Sequence, residues 1–291
     1  SIKDSMNFMF GRALLEKAEL SEFSPDGTYQ RASVHIQQPY NNKILLIVAE
    51  SLGSLKNESA QQEVFRKISE KINHYEFLTV GEIHIDGATV QGEIRELCNK
   101  LLYRGHDTRH FTAADFTDCL PAVLAKQGYH TVAFHGAGSS MYHRKSLYPK
   151  LGFQKTVFNE QMQDKKRCHS FKGTCDSEIF PLVANELANH DKALVYWLTL
   201  TSHYPYNEKD IFNHRFDCQQ FNIDTKMSVC NNIKMQTQFM DLLAELSAQP
   251  EMKGVEVLIV GDHMPSGFDG ENVYQTIKLH RSIFIHFKIK E

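Results

Sequence analysis

No apolar stretch in the 291 residues reaches the roughly 18–20 needed to cross a bilayer, so the sequence carries no spanning-helix signal. It opens without a signal peptide. It has no CxxC pair, which speaks against a zinc ribbon or a thioredoxin-type redox centre. It has no HExxH, and its one Gly-rich turn, "HGAGSS" (135–140), lacks the lysine of a phosphate-binding P-loop and reads as a tight turn. Charge of one sign is scarce. The 32 Lys and Arg stand against 35 Asp and Glu, and a net charge of -3 gives no general attraction for nucleic acid. Internal repeats and low-complexity segments are absent.

Histidine and paired cysteine are what the chain does have. Fifteen histidines are more than usual and direct attention to metal or phosphate chemistry. The six cysteines fall into near-sequence couples, Cys98 with Cys119, Cys168 with Cys175 and Cys218 with Cys230. Short separations and an even count fit disulfides formed in an oxidising compartment, each contributing about 2–4 kcal/mol; the alternative is buried thiols in a cytosolic protein. The first residue is Ser1 and not Met, which reads as a trimmed fragment of a parent protein that carries a membrane anchor.

Hydrophobic periodicity divides the chain into residues 1–42, an amphipathic helix over 1–20 with a polar linker, and an α/β domain over 43–291. Strands are expected at 43–50, 76–85, 130–135, 192–200, 255–261 and 281–289. Helices are expected at 59–74, 88–104, 116–128, 176–190 and 227–248. Runs such as "KILLIVAE" (43–50) are apolar throughout, as in a central strand covered on both faces. Strands alternating with helices predict a central, mostly parallel β-sheet sandwiched by helices. The polar stretch 204–226 reads as an excursion pinned by a disulfide.

In open α/β sheets, ligands gather beyond the carboxyl ends of the strands. Here those ends carry Glu50, Thr89 (at a helix start), His135, His203 and the Asp262–His263 pair. Two carboxylates and an imidazole make a mixed oxygen and nitrogen site suited to Zn²⁺ or Mn²⁺. A threonine hydroxyl is a poor nucleophile at neutral pH, and direct coordination to a metal lowers its pKa. Gly87 permits a tight turn before it, and a helix start there aims backbone N–H groups at an incoming anion.

The segments "IVAESLGS" (47–54), "DGATVQGE" (86–93), "AFHGAGSSMYHRKSLYPKLGF" (133–153), "TLTSHYPY" (199–206) and "IVGDHMP" (259–265) stand in the order found in one family. The set resembles the alkaline phosphatase superfamily, and within it the extracytoplasmic, sulfatase-fold domains of lipoteichoic acid synthases and phosphoethanolamine transferases. The resemblance implies one divalent metal, zinc or manganese, held by Glu50, Thr89, Asp262 and His263, with a second metal as a variant. It implies Thr89 as nucleophile and His203 as proton donor to the leaving group. His135, Tyr142, Arg144 and His203 would line the phosphate and head-group pocket. The implied reaction moves the head-group phosphate of phosphatidylethanolamine or phosphatidylglycerol through a phosphothreonine to a glycan or lipid acceptor in the cell envelope. The implied setting is the periplasmic side of an inner membrane. "ESLGS" and "SHYPY" lean toward phosphoglycerol transfer, and the cysteines lean toward phosphoethanolamine transfer.

Each residue also has a plainer role. Glu50 suits a turn cap, Thr89 a helix cap, His135 and His203 buried core histidines, and Arg144 a salt-bridge partner. His106 and His110, four apart in "GHDTRH", read as a solvated turn in preference to a metal pair on a helix. Rival functions are a serine hydrolase built on Ser51 in "AESLG" with Asp262 and either His280 or His286, a non-catalytic lipid sensor on the same fold, and a phosphodiesterase or sulfatase-type hydrolase. The C/S-x-P-x-R pattern of sulfatases is absent from the nucleophile position.

Overall fold

The computed structural model describes residues 15–23, 30–267 and 269–291. In chain order the strands are β1 (Glu19–Glu22), β2 (Ile44–Ala49), β3 (Tyr75–His84), β4 (Lys100–Tyr103), β5 (His130–His135), β6 (Lys155–Val157), β7 (Ala193–Leu198), β8 (Glu256–Gly261) and β9 (Arg281–Ile289). The helices are α1 (Glu58–Val64), the single turn α2 (Arg66–Ser69), α3 (Thr89–Cys98), α4 (Leu120–Lys126), α5 (Arg144–Leu151), α6 (Phe180–Ala188), α7 (Ser228–Ser247) and α8 (Glu271–Thr276). No helix among the described residues is long and apolar enough to cross a membrane.

The central sheet has the order β3-β9-β8-β2-β7-β5-β6. The pairings β8–β2, β2–β7, β7–β5 and β5–β6 are parallel, and β9 runs antiparallel to both its neighbours. The expected mostly parallel sheet between helical layers is therefore the observed architecture. Strands covered on both faces need apolar residues at every position. In β2, Leu45 and Ile47 face the layer of α1, α6 and α7, while Ile44, Leu46 and Val48 face α3, α4 and α5. All of β2, β7 and β8 is buried, so sheet register is held by packing from both sides.

The cysteines pair as their proximity suggests: Cys98–Cys119, Cys168–Cys175 and Cys218–Cys230. The first joins the end of α3 to the start of α4. The last ties the polar excursion 204–226 to α7.

Two expected helices end differently. Of the helix expected over 1–20, residues 1–14 lie outside the described residues, and Glu19–Glu22 is a strand, paired antiparallel with β4. The helix expected over 88–104 stops at Cys98, because Asn99 takes a left-handed conformation (φ 52°) and turns the chain into β4. Both corrections have one cause. A pairing between segments about 80 residues apart outcompetes a short helical period, and no local pattern records it.

Candidate metal centre

The carboxyl ends of β2 and β8 lie side by side, since Ala49 pairs with Gly261. That register puts Glu50 next to Asp262 and His263. Helix α3 supplies Thr89 from the third side. Its N-cap is Ala88, with no side-chain cap, and the Ala88 N–H donates to the Gln91 side chain, so Thr89 is not spent on capping. Gly87, at φ 86°, makes the turn that admits the helix start.

The four side chains meet. The Thr89 hydroxyl donates to Glu50 Oε2 at 3.2 Å and lies 3.4 Å from His263 Nε2. His263 Nε2 lies 3.1 Å from Glu50 Oε1 and 3.4 Å from Asp262 Oδ2. Donor atoms on a tetrahedral zinc at about 2.0–2.1 Å stand roughly 3.3–3.4 Å from one another, so the spacing suits one small divalent cation. The hydrogen bonds point the same way. His263 Nδ1 faces the Met264 carbonyl at 2.9 Å, and a carbonyl only accepts, so Nδ1 carries the proton. Nε2 then faces two carboxylates, an arrangement that calls for a proton or a metal ion between them. Asp262 Oδ2 is buried without a hydrogen-bond partner. Burial and the neighbouring Glu50 charge push the Asp262 carboxyl well above its ordinary range. Burial alone would lower His263, but the charges of Asp262 and Glu50 raise it. A divalent cation balances two carboxylates against a neutral imidazole, so the donor set fits a metal such as Zn²⁺ or Mn²⁺.

The surrounding bonds hold these donors in place. Asp262 Oδ1 accepts from the backbone N–H groups of Ser51 (2.9 Å) and His263 (2.6 Å). The Glu50 carbonyl accepts from Ser202 Oγ (2.6 Å) and Gln236 Nε2 (2.9 Å). Arg95 on α3 donates to the Gly261 and Asp262 carbonyls at 2.6 and 3.1 Å, fastening the helix that carries Thr89 to the strand end that carries Asp262. Gly92, one turn after Thr89, allows that approach. A Cβ there would stand 2.9 Å from both Cα and the carbonyl oxygen of Asp262. Gly92→Ala is expected to push α3 off the strand end and weaken zinc binding by at least about tenfold, the range for disturbed outer-shell support. Isothermal titration with zinc checks this, and unchanged affinity would refute the role.

Glu50, Thr89 and His263 floor a cavity of about 830 Å³, whose walls include His135, Tyr142, Arg144 and His203. Of the residues expected to hold the metal or line the head-group pocket, all border this space except Asp262, which is fully buried. Arg144 is buried, not a surface residue. Its Nε donates to Glu93 Oε2 at 3.2 Å, and its guanidinium sits 4.9 Å from the centre of the Tyr142 ring. Its Nη1 is buried without a partner. Glu93 also accepts from the hydroxyls of Tyr148 and Tyr196 (2.7 Å for Tyr196). His135 Nδ1 donates to the Leu198 carbonyl at 2.8 Å, and burial with the Arg144 charge pushes its pKa down to about 3, so the ring is neutral. His203 Nδ1 donates to the Tyr204 carbonyl at 2.6 Å, and the Phe171 ring meets the His203 ring edge-on at 4.7 Å.

The serine-hydrolase arrangement does not assemble. Ser51, at φ 58°, does sit on a strained turn. Its hydroxyl donates to Glu50 Oε1 at 3.1 Å, while His280 pairs with Asp86 and His286 with Glu256. His106 and His110 lie outside any helix, and His106 packs against Tyr142 with its ring centre 5.6 Å away. Sequence reasoning missed Glu93, Arg95, Tyr148, Tyr196 and Phe171. For Glu93 a signal existed: it lies four residues after Thr89 in a helix, on the same face.

The sulfatase family model matches residues 43–283. No curated protein matches the sequence. Among solved structures, the lipoteichoic acid synthase LtaP from Listeria monocytogenes superposes with a TM-score of 0.63 at 16% identity, covering 92% of this chain and 68% of that one. The phosphoglycerol transferase GacH from Streptococcus pyogenes, in complex with sn-glycerol-1-phosphate, gives 0.57 at 14%, covering 85% and 68%. The C-terminal periplasmic domain of EcEptC from Escherichia coli, in complex with zinc, gives 0.56 at 14%, covering 92% and 77%. At these identities the likeness is one of fold.

Proposed function

The chain belongs to the sulfatase family, and from that premise we propose that it is a metal-dependent phosphotransferase. On this reading it moves the head-group phosphate of a phospholipid, phosphatidylethanolamine or phosphatidylglycerol, to a hydroxyl of a glycan or lipid acceptor in the cell envelope. One observation carries the proposal. A threonine hydroxyl meets one carboxylate and the imidazole of a buried two-carboxylate, one-histidine cluster at the floor of a large cavity, and an unpartnered guanidinium nitrogen belongs to a residue of its wall. Thr89 at the nucleophile position, with neither Cys nor Ser there, separates this site from sulfate-ester hydrolysis.

Glu50, Thr89, Asp262 and His263 would hold one zinc or manganese ion, which when bound acidifies the threonine hydroxyl and neutralises phosphate charge. The remaining chemistry belongs to the chain. Thr89 Oγ1 attacks the phosphodiester phosphorus, diacylglycerol leaves, and the head-group phosphate is held as an ester of Thr89. The acceptor hydroxyl then attacks phosphorus and releases Thr89. Arg144 Nη1, unsatisfied and prepaid by its buried pair with Glu93, receives a phosphate oxygen. His203, its Nδ1–H fixed on the Tyr204 carbonyl, presents Nε2 as the group that gives a proton to the leaving alkoxide and takes one from the entering hydroxyl. His135, kept neutral, offers a hydrogen bond without adding charge. The three disulfides suit an oxidising setting, and the EcEptC domain of similar fold is periplasmic; we assign this domain to the extracytoplasmic side of an inner membrane.

The test is covalent. Zinc- or manganese-replete protein is incubated with vesicles of each phospholipid, and the Thr89 peptide is weighed by mass spectrometry. A phosphoethanolamine or phosphoglycerol adduct on Thr89 is expected, and its mass names the head group. Metal-replete protein that forms no adduct with either lipid overturns the reading.

A further inference from the structure

A second group of ligand-type side chains sits at the opposite end of the parallel strands. His130 opens β5, whose other end, His135, lines the catalytic cavity. Five residues of strand separate the two by about 17 Å. Glu186 lies in the last turn of α6 and His190 just beyond it. One ring nitrogen of each histidine and one carboxylate oxygen of Glu186 lie within 4.8 Å of one another. His130 Nε2 is 2.9 Å from Glu186 Oε2, and the two imidazole rings stack at 3.8 Å with an interplanar angle of 9°. His190 Nδ1 lies 3.0 Å from the Glu186 carbonyl oxygen. Glu186 is buried, whereas both histidines are only partly covered, so an ion has a path in from solvent. Burial pushes the Glu186 carboxyl up, but Lys155 and His130 outweigh it and hold the group ionised.

We propose that His130, Glu186 and His190 form a second divalent-cation site, separate from the catalytic one, that takes zinc in preference to manganese and pins the end of α6 to the start of β5. The preference follows from the donors. Two imidazoles and one carboxylate suit a borderline ion such as Zn²⁺, whereas Mn²⁺ favours oxygen-rich sets. The site is the weaker of the two, because Lys155 already pairs with the other oxygen of Glu186 and opposes an incoming cation. This inference shares no ligand with the catalytic centre and stands or falls independently of the proposed reaction.

Metal-free protein is titrated with zinc alone and with manganese alone, and bound metal is counted after gel filtration. Zinc is expected to fill one more site than manganese. His190→Ala and Glu186→Gln each lose that additional equivalent while phospholipid turnover at saturating zinc is unchanged. Glu50→Gln, which disables the catalytic centre, leaves it in place. Lys155→Met is expected to tighten zinc at this site by roughly three- to tenfold. Equal zinc and manganese stoichiometry in the wild type, or a His190→Ala variant that keeps every zinc of the wild type, overturns the proposal.

Discussion

Thr89→Ala is expected to abolish phospholipid turnover, with a loss in kcat of roughly 10,000-fold or more, while the fold stays intact. Removing the attacking atom of a covalent mechanism leaves only binding and positioning, which is why nucleophile deletions sit at the large end of mutational effects. The stability half of the expectation comes from the local geometry. A capping threonine costs about 1 kcal/mol when replaced by alanine. Here Ala88 is the N-cap and the Thr89 hydroxyl is directed at Glu50, so helix α3 loses no cap. Thermal unfolding of metal-free Thr89→Ala should therefore match the wild type within a few degrees. Initial rates on vesicles, with the adduct assay alongside, make the check. A variant retaining a tenth of wild-type activity would exclude Thr89 as nucleophile. A wild type that binds metal and lipid but never turns over would favour a lipid sensor on the same fold.

Arg144→Ala should strike stability and activity together. Arg144 is 1% exposed and Glu93 is fully buried, and their pair is closed by Tyr148 and Tyr196. Deleting one member of a buried ion pair leaves an uncompensated charge and costs about 3–5 kcal/mol. Removing the Nη1 donor should also lower kcat/KM by roughly 100–1,000-fold, the range for a lost donor to a developing oxyanion. Urea denaturation and steady-state kinetics separate the two effects, and the double variant Glu93→Gln/Arg144→Met distinguishes their causes. With neither charge left, most of the stability should return and the activity should not. If the double variant recovers both, Arg144 is a structural residue that happens to border the cavity.

How much of the fold is legible in the sequence depends on how local each cause is. Strands β5 and β9 match their expected limits to the residue, because apolar runs bounded by polar turns carry their own limits. The cysteine couples were legible because their partners lie close along the chain. Helix α5 escaped notice: it begins after two residues in left-handed conformation, Tyr142 and His143, and contains Pro149, so it lacks ordinary start and continuation signals. Strands β1 and β4 escaped because each is defined by the other. At the site, the residue types at strand ends carry the expectation of metal and phosphate chemistry on which the proposed function rests. The supports of that site, Arg95 clamping the β8 end and Glu93 seating Arg144, are ordinary charged residues of one helix until the fold shows what they touch.

The sequence by itself determined the layered α/β class and the strand ends that bear Glu50, His135 and Asp262–His263. These follow from period and composition, which act over a few residues. Only the tertiary structure decided that Glu50 and Asp262, 212 positions apart, share one imidazole within 3.1–3.4 Å, and that the Thr89 hydroxyl reaches both Glu50 and that imidazole. That meeting depends on the β2–β8 register and on how closely α3 packs against it. Such a distance is set by the packing of the whole core, which no local stretch of chain encodes.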